Sequence, residues 1–377
     1  MIIAGEASGD LHGADLAREL LALDDSLKLS GIGGALMATA GVNLYRDIKN
    51  LAVMGILEVV KRLSSIRSAM VELENQFKTN RPDLLILIDY PGFNLELAKR
   101  AKRFNIPVFY YISPKIWAWR EGRIKKIRKY IDRMAVILPF EKEYYKTHGM
   151  EVEFIGNPLL DQVQVSPEKR DELKNKLAID NTATVIGMMP GSRKQEIAKL
   201  LPLFTRAALK LVERIEKPVF ILPLASTLSE NDLPVHLISD ERLDIRLIKE
   251  NRYEAMSVCD AAMAASGTLT MELAILQVPM VVCYRVLALT YLLARPFIHV
   301  KFASLVNLVA GREVVPELLQ QKATPEKICE KLLPLLLDRE VSKAMRLDLA
   351  RVSRQLGKPG GSSRAAGLAM QMMAGRL

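Results

Sequence analysis

Cysteine is scarce in this chain of 377 residues. Cys259, Cys283 and Cys329 are scattered, odd in number and free of any CxxC spacing. That excludes a disulfide framework. With no signal peptide at the start, it also points to a reducing cytoplasm. Histidine is equally sparse: His12, His148, His236 and His299 stand apart, so no zinc or iron site can be read from them. No stretch supplies the roughly 20 apolar, uncharged residues of a membrane span. The most apolar region, 273–300, is broken by Pro279, Arg285, Arg295 and Pro296. The chain therefore reads as soluble or lying on a surface. Internal repeats and low-complexity tracts are also missing.

What is present suits about two domains of ordinary size. Half the residues are hydrophobic and a quarter charged, which is ample core material. The excess of 53 Lys and Arg over 43 Asp and Glu leaves a net charge of +10. A balance of that sign suits an anionic partner: a nucleotide, a nucleic acid or an acidic membrane surface.

The chain is organised around residues 260–285, where the apolar run Ala261–Ala265 meets the turn Ser266-Gly267-Thr268. A helix is expected from about Leu269 to Leu276, and a second apolar run, Met280 to Tyr284, follows Pro279. Strand, glycine turn, helix, strand is the unit of a parallel sheet with crossover helices. The turn leaves the first N–H groups of the helix unpaired, and such an end attracts phosphate. Gly267 admits an oxygen close to the backbone, while the Ser266 and Thr268 hydroxyls can cap the helix or bond the anion. Glu272 lies one turn further on, where it would repel phosphate but accept hydrogen bonds from ribose hydroxyls. An ordinary capped helix with a solvated glutamate fits the same residues.

The same unit recurs. After the strand stub Met1–Ala4, the turn GEASGD carries Glu6, Ser8 and Asp10; it is not GxGxxG, so no dinucleotide is read from it. The stub is short enough that a few residues are expected to precede Met1. Leu84–Ile88 is a continuous apolar run of strand length ending at Asp89, with Pro91-Gly92 forcing a turn. A carboxylate at the tip of a central strand sits where α/β enzymes keep their chemistry, although Asp89 could also cap the next helix. The strand 184–189 leads into Gly191-Ser192-Arg193, where Arg193 offers a planar fork suited to phosphate. SLVNLVAGRE places Asn307 and Gly311 in a turn-rich segment, and from about 325 the chain reads as helical, broken around 357–363.

Two segments stay open on periodicity alone. Residues 51–70 begin apolar nearly all round, with Val53, Met54, Leu57 and Val60 followed by Lys61 and Arg62. A buried helix fits them, and so does one that dips into a bilayer with its basic residues at the headgroups. Residues 113–133 hold both tryptophans, Trp117 and Trp119, among many Lys and Arg. That pattern suits a single-stranded nucleic-acid groove or a helix with a solvated basic face.

Two βα-rich halves with glycine turns at their strand ends predict an α/β fold with a cleft between facing sheets. Two phosphate-suited turns downstream and the candidate bases Asp89, Glu6 and Asp10 upstream are the parts of a group transfer from a nucleoside diphosphate. On these grounds the chain is a transferase or hydrolase of a nucleotide-activated substrate.

GEASGD, LAVMGILEV, DYPGFN, SPKIWAWR, LPFE, FIGNP, PGSR, ASGTLTMELA, VPMVVCYR and SLVNLVAGRE occur in this order along almost the whole chain. Together they closely resemble lipid-A-disaccharide synthase, an inverting glycosyltransferase of the GT-B type with two Rossmann-like domains. The resemblance implies transfer of 2,3-diacylglucosamine from its UDP derivative to the 6-hydroxyl of 2,3-diacylglucosamine 1-phosphate. By position it makes Asp89 the catalytic base and associates Arg193 and Asn307 with UDP, beside Gly191, Ser192, Ser266, Gly267 and Thr268. It makes Glu272 the ribose-binding residue and leaves Glu6, Ser8 and Asp10 on the acceptor side. Gly92 stands where some relatives are expected to carry an acidic residue, which weakens a two-carboxylate mechanism.

The resemblance further implies an acceptor-side domain at 1–163, a UDP-sugar domain at 164–340, and a helical segment at 341–377. That segment would return to the first domain or exchange with a partner in a homodimer. No cofactor and no metal are expected, because helix N-termini and basic side chains would stabilise the leaving diphosphate. Since both substrates are acylated, Val53, Met54, Leu57, Val60, Lys61 and Arg62 become a membrane contact on the inner face of the inner membrane. The Trp–Arg segment becomes a structural or acceptor-side element, with no nucleic acid as partner. Two rivals remain: a GT-B enzyme or epimerase of a water-soluble UDP-sugar, and a non-catalytic binder of anionic lipid or RNA.

Overall fold

The computed structural model describes residues 1–48, 63–180, 182–225, 228–285 and 300–375. Val53, Met54, Leu57, Val60, Lys61 and Arg62 lie outside them. The chain divides into two compact units, Met1–Pro158 with Gly357–Leu377, and Leu159–Leu356.

The first unit is built on a parallel sheet of seven strands: β1 (Ile2–Ala4), β2 (Ser30–Gly33), β3 (Asn43–Asp47), β4 (Leu85–Ile88), β5 (Val108–Tyr111), β6 (Arg133–Val136) and β7 (Glu153–Phe154). Their order is β3-β2-β1-β4-β5-β6-β7. Side chains alternate across it. Ile3, Leu85, Leu87, Val108 and Tyr110 enter one core, while Ile2, Ala4, Ile86, Ile88, Phe109 and Tyr111 enter another on the opposite face. A sheet covered on both faces needs apolar residues at every position, which is why β4 and β5 read as unbroken runs.

The helix Gly361–Ala374 packs on the helix Ala7–Leu23 and buries Ala365, Ala366 and Ala369. The basic helix Arg339–Gln355 instead lies in the second unit against the helices Thr268–Ile275 and Pro325–Leu337. The segment grouped with the first unit thus starts at Gly357, well after residue 341.

The second unit holds six parallel strands: β8 (Val185–Met189), β9 (Val219–Pro223), β10 (Asp244–Ile248), β11 (Ala261–Ala265), β12 (Met280–Tyr284) and β13 (Glu317–Leu319). Their order is β10-β9-β8-β11-β12-β13. In each sheet the winding reverses once, between β1 and β4 in the first and between β8 and β11 in the second. Ligands of open α/β sheets bind beyond the carboxyl ends of the strands at such a reversal.

Candidate active site

The turns singled out by sequence fall on these two reversals. GEASGD follows β1 and Asp89 follows β4; Gly191-Ser192-Arg193 follows β8 and Ser266-Gly267-Thr268 follows β11.

Asp89 is partly exposed at the tip of β4. Crowding by protein atoms pushes its carboxyl up to about 6; Lys115 opposes the shift and Glu6 adds to it. A carboxylate that titrates near neutrality is matched to taking a proton from a hydroxyl. Its backbone is left-handed, at φ 42°, and so is that of Tyr90, at φ 46°. Ser8 is exposed and Glu6 half-buried.

Asp10 is not available as a base. It is buried, with Oδ1 accepting from the N–H groups of Gly34 (2.7 Å) and Met37 (3.1 Å) and Oδ2 from that of Leu36 (3.2 Å). It caps the helix Ala35–Thr39 from another part of the chain, a contact that places it in the frame of the site.

In the second unit Gly267 has φ 151°, and a Cβ there would meet no atom of the described residues within 4 Å. It starts the helix Thr268–Ile275 with no side-chain cap. The N–H groups of Gly267 and Thr268 find no acceptor among the described residues, as an anion site requires. The Ser266 hydroxyl does not cap the helix; it donates to the Ala303 carbonyl at 2.8 Å. Glu272 is buried, where an ordinary capped helix would leave it solvated. Its Oε2 pairs with Arg252, while Oε1 has no partner among the described residues. Burial raises its carboxyl and Arg252 opposes the rise.

Gly191 has φ 115°. Beside it Glu196 reaches back from the helix Lys194–Leu211, accepting from the Ser192 N–H at 3.0 Å and lying 3.4 Å from the half-exposed Arg193 guanidinium. That carboxylate closes one donor and orients the cation.

Asn307, expected in a turn against UDP, lies wholly buried in the helix Leu305–Ala310. Its Nδ2 donates to the Val315 carbonyl and to Glu317 Oε1, and its Oδ1 accepts from the N–H groups of Val314 and Val315. The side chain is fully spent on the fold. Glu317, which sequence reasoning missed, also takes the N–H groups of Ala303 and Ser304 at 2.7 and 2.9 Å. Since the Ala303 carbonyl in turn accepts from Ser266, the pair Asn307–Glu317 fixes the wall of the glycine turn.

Glu141 has the same task in the first unit. It is buried, accepts from Ser113 and Trp117 through Oε1, and takes the N–H groups of Ile137 and Leu138 through Oε2. This ties SPKIWAWR to LPFE and makes Trp117 structural. Residues 113–120 are a loop, not a helix; the basic helix is Ile124–Tyr130, with Lys125, Lys126, Arg128 and Lys129 exposed. Trp119 is exposed with Arg120 stacked 4.4 Å from its ring centre.

Two parallel-sheet α/β units, each with polar turns at the reversal of its sheet, are the architecture of the GT-B fold. The family model described as lipid-A-disaccharide synthetase matches residues 1–372, and the chain belongs to that family. It is 44% identical to the lipid-A-disaccharide synthase of Syntrophus aciditrophicus over 99% of its length and 97% of that relative's. Among solved structures it resembles the calicheamicin glycosyltransferase CalG4, with a TM-score of 0.64 at 15% identity over 100% of this chain and 97% of that one. It also resembles the UDP-GlcNAc 2-epimerase of Neisseria meningitidis bound to UDP-GlcNAc, with a TM-score of 0.66 at 14% identity over 98% and 99% of the two chains.

Proposed function

We propose that the protein joins two acylated glucosamines, moving 2,3-diacylglucosamine from its UDP derivative to the 6-hydroxyl of 2,3-diacylglucosamine 1-phosphate. The observation that carries this reading is the family match along residues 1–372. The geometry supports it. A carboxylate raised to about 6 stands at one sheet's reversal, and two phosphate-suited turns stand at the other's.

In this reading ionised Asp89 accepts the proton of the acceptor hydroxyl as its oxygen attacks the anomeric carbon. The bond from that carbon to the diphosphate breaks, and UDP leaves with the electron pair. The N–H groups of Gly267 and Thr268, which find no acceptor among the described residues, and the Arg193 guanidinium meet the charge that develops on the phosphate. Glu272 Oε1 receives a ribose hydroxyl. Attack opposite the leaving group gives the β-1,6 linkage.

Both substrates carry acyl chains, so the enzyme works at a bilayer. We assign the contact to the apolar-basic segment that contains Val53, Met54, Leu57, Val60, Lys61 and Arg62, at the inner face of the inner membrane. No helix among the described residues is long and apolar enough to cross a membrane.

A mixed-micelle assay with both acylated substrates tests the reading, following UDP and lipid product together. Disaccharide phosphate and UDP in equal amounts are expected, with water-soluble UDP-N-acetylglucosamine neither reacting nor competing. Turnover of the soluble sugar, with no lipid product, would replace the proposal with a soluble UDP-sugar enzyme.

A further inference from the structure

Asp89 and Tyr90 are two successive left-handed residues, and neither is glycine. Such a pair is strained and persists only where its surroundings over-determine it. Here two buried side chains converge on one backbone atom. The Tyr110 hydroxyl donates to the Asp89 carbonyl oxygen at 2.5 Å. The Asn94 amide donates to the same oxygen at 2.7 Å and to the Ile88 carbonyl at 3.1 Å. Tyr110 and Asn94 are both wholly buried. From the other side the Asp89 N–H reaches the Ile112 carbonyl at 3.3 Å.

The direction of the carboxylate depends on this clamp. Leu85 and Leu87 face one core and Ile86 and Ile88 the other. Had Asp89 continued the strand, alternation would have carried its side chain to the Leu85–Leu87 face, into apolar packing. The left-handed turn breaks the alternation at this residue, and a carbonyl gripped by two donors fixes the peptide plane between Asp89 and Tyr90.

We propose that Tyr110 and Asn94 are positioning residues that hold the left-handed turn and so aim the Asp89 carboxylate out of the sheet. The proposal rests on the reading of Asp89 as the base. Neither side chain touches substrate, so their loss should appear in kcat and leave the donor KM unchanged.

The test uses Tyr110→Phe, Asn94→Ala and the double variant in the full-length protein, measuring kcat, donor KM, melting temperature and a crystal structure of each. Tyr111→Phe is the control. Its ring is equally buried on the opposite face, and its hydroxyl lies 3.1 Å from Ser362 Oγ, far from the turn in sequence. We expect kcat to fall about tenfold in Tyr110→Phe and about a hundredfold in the double variant, the scale of a reacting group displaced by about an ångström. Donor KM and Tyr111→Phe should stay at wild-type values, and φ at Asp89 should turn negative in the double variant. Wild-type kcat in Tyr110→Phe and Asn94→Ala, or losses matched by Tyr111→Phe, would overturn the proposal. So would a left-handed Asp89 retained in the double variant. Asp89→Ala run alongside separates the two readings. If it stays active, Asp89 is not the base, while the φ values still decide whether Tyr110 and Asn94 hold the turn.

Discussion

The two units carry their proposed site residues at equivalent points of their sheets but build the turns from opposite materials. At the tips of β4 and β5, Asp89, Tyr90 and Ile112 are left-handed although none is glycine, and Ile112 is even β-branched. At the tips of β8 and β11 the positive-φ residues are Gly191 and Gly267. The difference follows from what each turn supplies. A phosphate site works through backbone N–H groups, so a side chain is in the way and glycine is the cheapest residue. A general base, the role proposed for Asp89, works through its side chain, so the turn keeps a carboxylate and the strain is sustained by hydrogen bonds to the backbone. Where the units need the same thing, they solve it alike. Glu141 and Glu317, both accepting from two backbone N–H groups, each staple a strand-tip loop.

The largest test of that contrast is Asp89→Asn. Asparagine tolerates the left-handed region and keeps the carbonyl contacts, so geometry survives and only proton transfer is lost. We expect kcat to fall about a thousandfold, within the range of general-base contributions, with UDP affinity unchanged. Calorimetric titration with UDP checks the second part. In the wild type the ionised form is the active one, so kcat/KM should climb as pH rises through about 6 and level off above it. A flat profile across that range would remove Asp89 from the proton transfer.

The same carboxyl makes a second, smaller prediction, on stability. Its folded value, about 6, is above the ordinary carboxyl value of 3.8. The folded state therefore favours the neutral acid. Its contribution to stability is fully present below about 3.8 and is lost as pH rises through about 6. Above that, the folded protein carries a poorly solvated charge that Asn does not have. Asp89→Asn should thus match wild-type stability near pH 4 and gain on it up to pH 7, by at most about 3 kcal/mol. Denaturant melts at the two pH values measure the gap. An inactive but stabilised variant is what a poorly solvated carboxylate in the proposed role of base predicts.

Ala261–Ala265 and Leu84–Asp89 were legible in the sequence because a strand buried on both faces needs an unbroken apolar run, and the polar residue that ends it marks the tip. β3 and β13 were not legible. Asn43–Asp47 is half-exposed with no alternation, and Glu317–Leu319 is only three residues long. With β13 unread, Glu317 was invisible, and Asn307 looked like a ligand contact when its partners are Val314, Val315 and Glu317. Asp10 misled in the same way: its position after β1 is that of a site residue, but its acceptors are used by Gly34, Leu36 and Met37. A sequence shows which side chains stand at a strand tip, not which are already taken by loops elsewhere in the chain. The break between the helices Pro325–Leu337 and Arg339–Gln355 is more local, and Asp338, capping Glu340 and Val341, would have been a fair signal.

The smallest expected effects separate the two glycines. At Gly191 a Cβ would stand 2.2 Å from Glu196 Oε2, so alanine must expel that carboxylate and release both the Ser192 N–H and Arg193. We expect Gly191→Ala to raise the donor KM by about thirtyfold, or about 2 kcal/mol, with a further loss of stability from the positive φ. At Gly267 a Cβ meets no protein atom among the described residues, so alanine costs only the backbone strain of about 1–2 kcal/mol. If the turn receives the phosphate as proposed, the added methyl group crowds it, and the donor KM should rise about tenfold, or about 1.4 kcal/mol, with kcat held. Donor titrations of the two variants, with melting curves beside them, make the distinction. If Gly267→Ala lost stability while keeping its donor KM, the open space beside it would belong to the fold, and the glycine turn after β11 would not receive the phosphate.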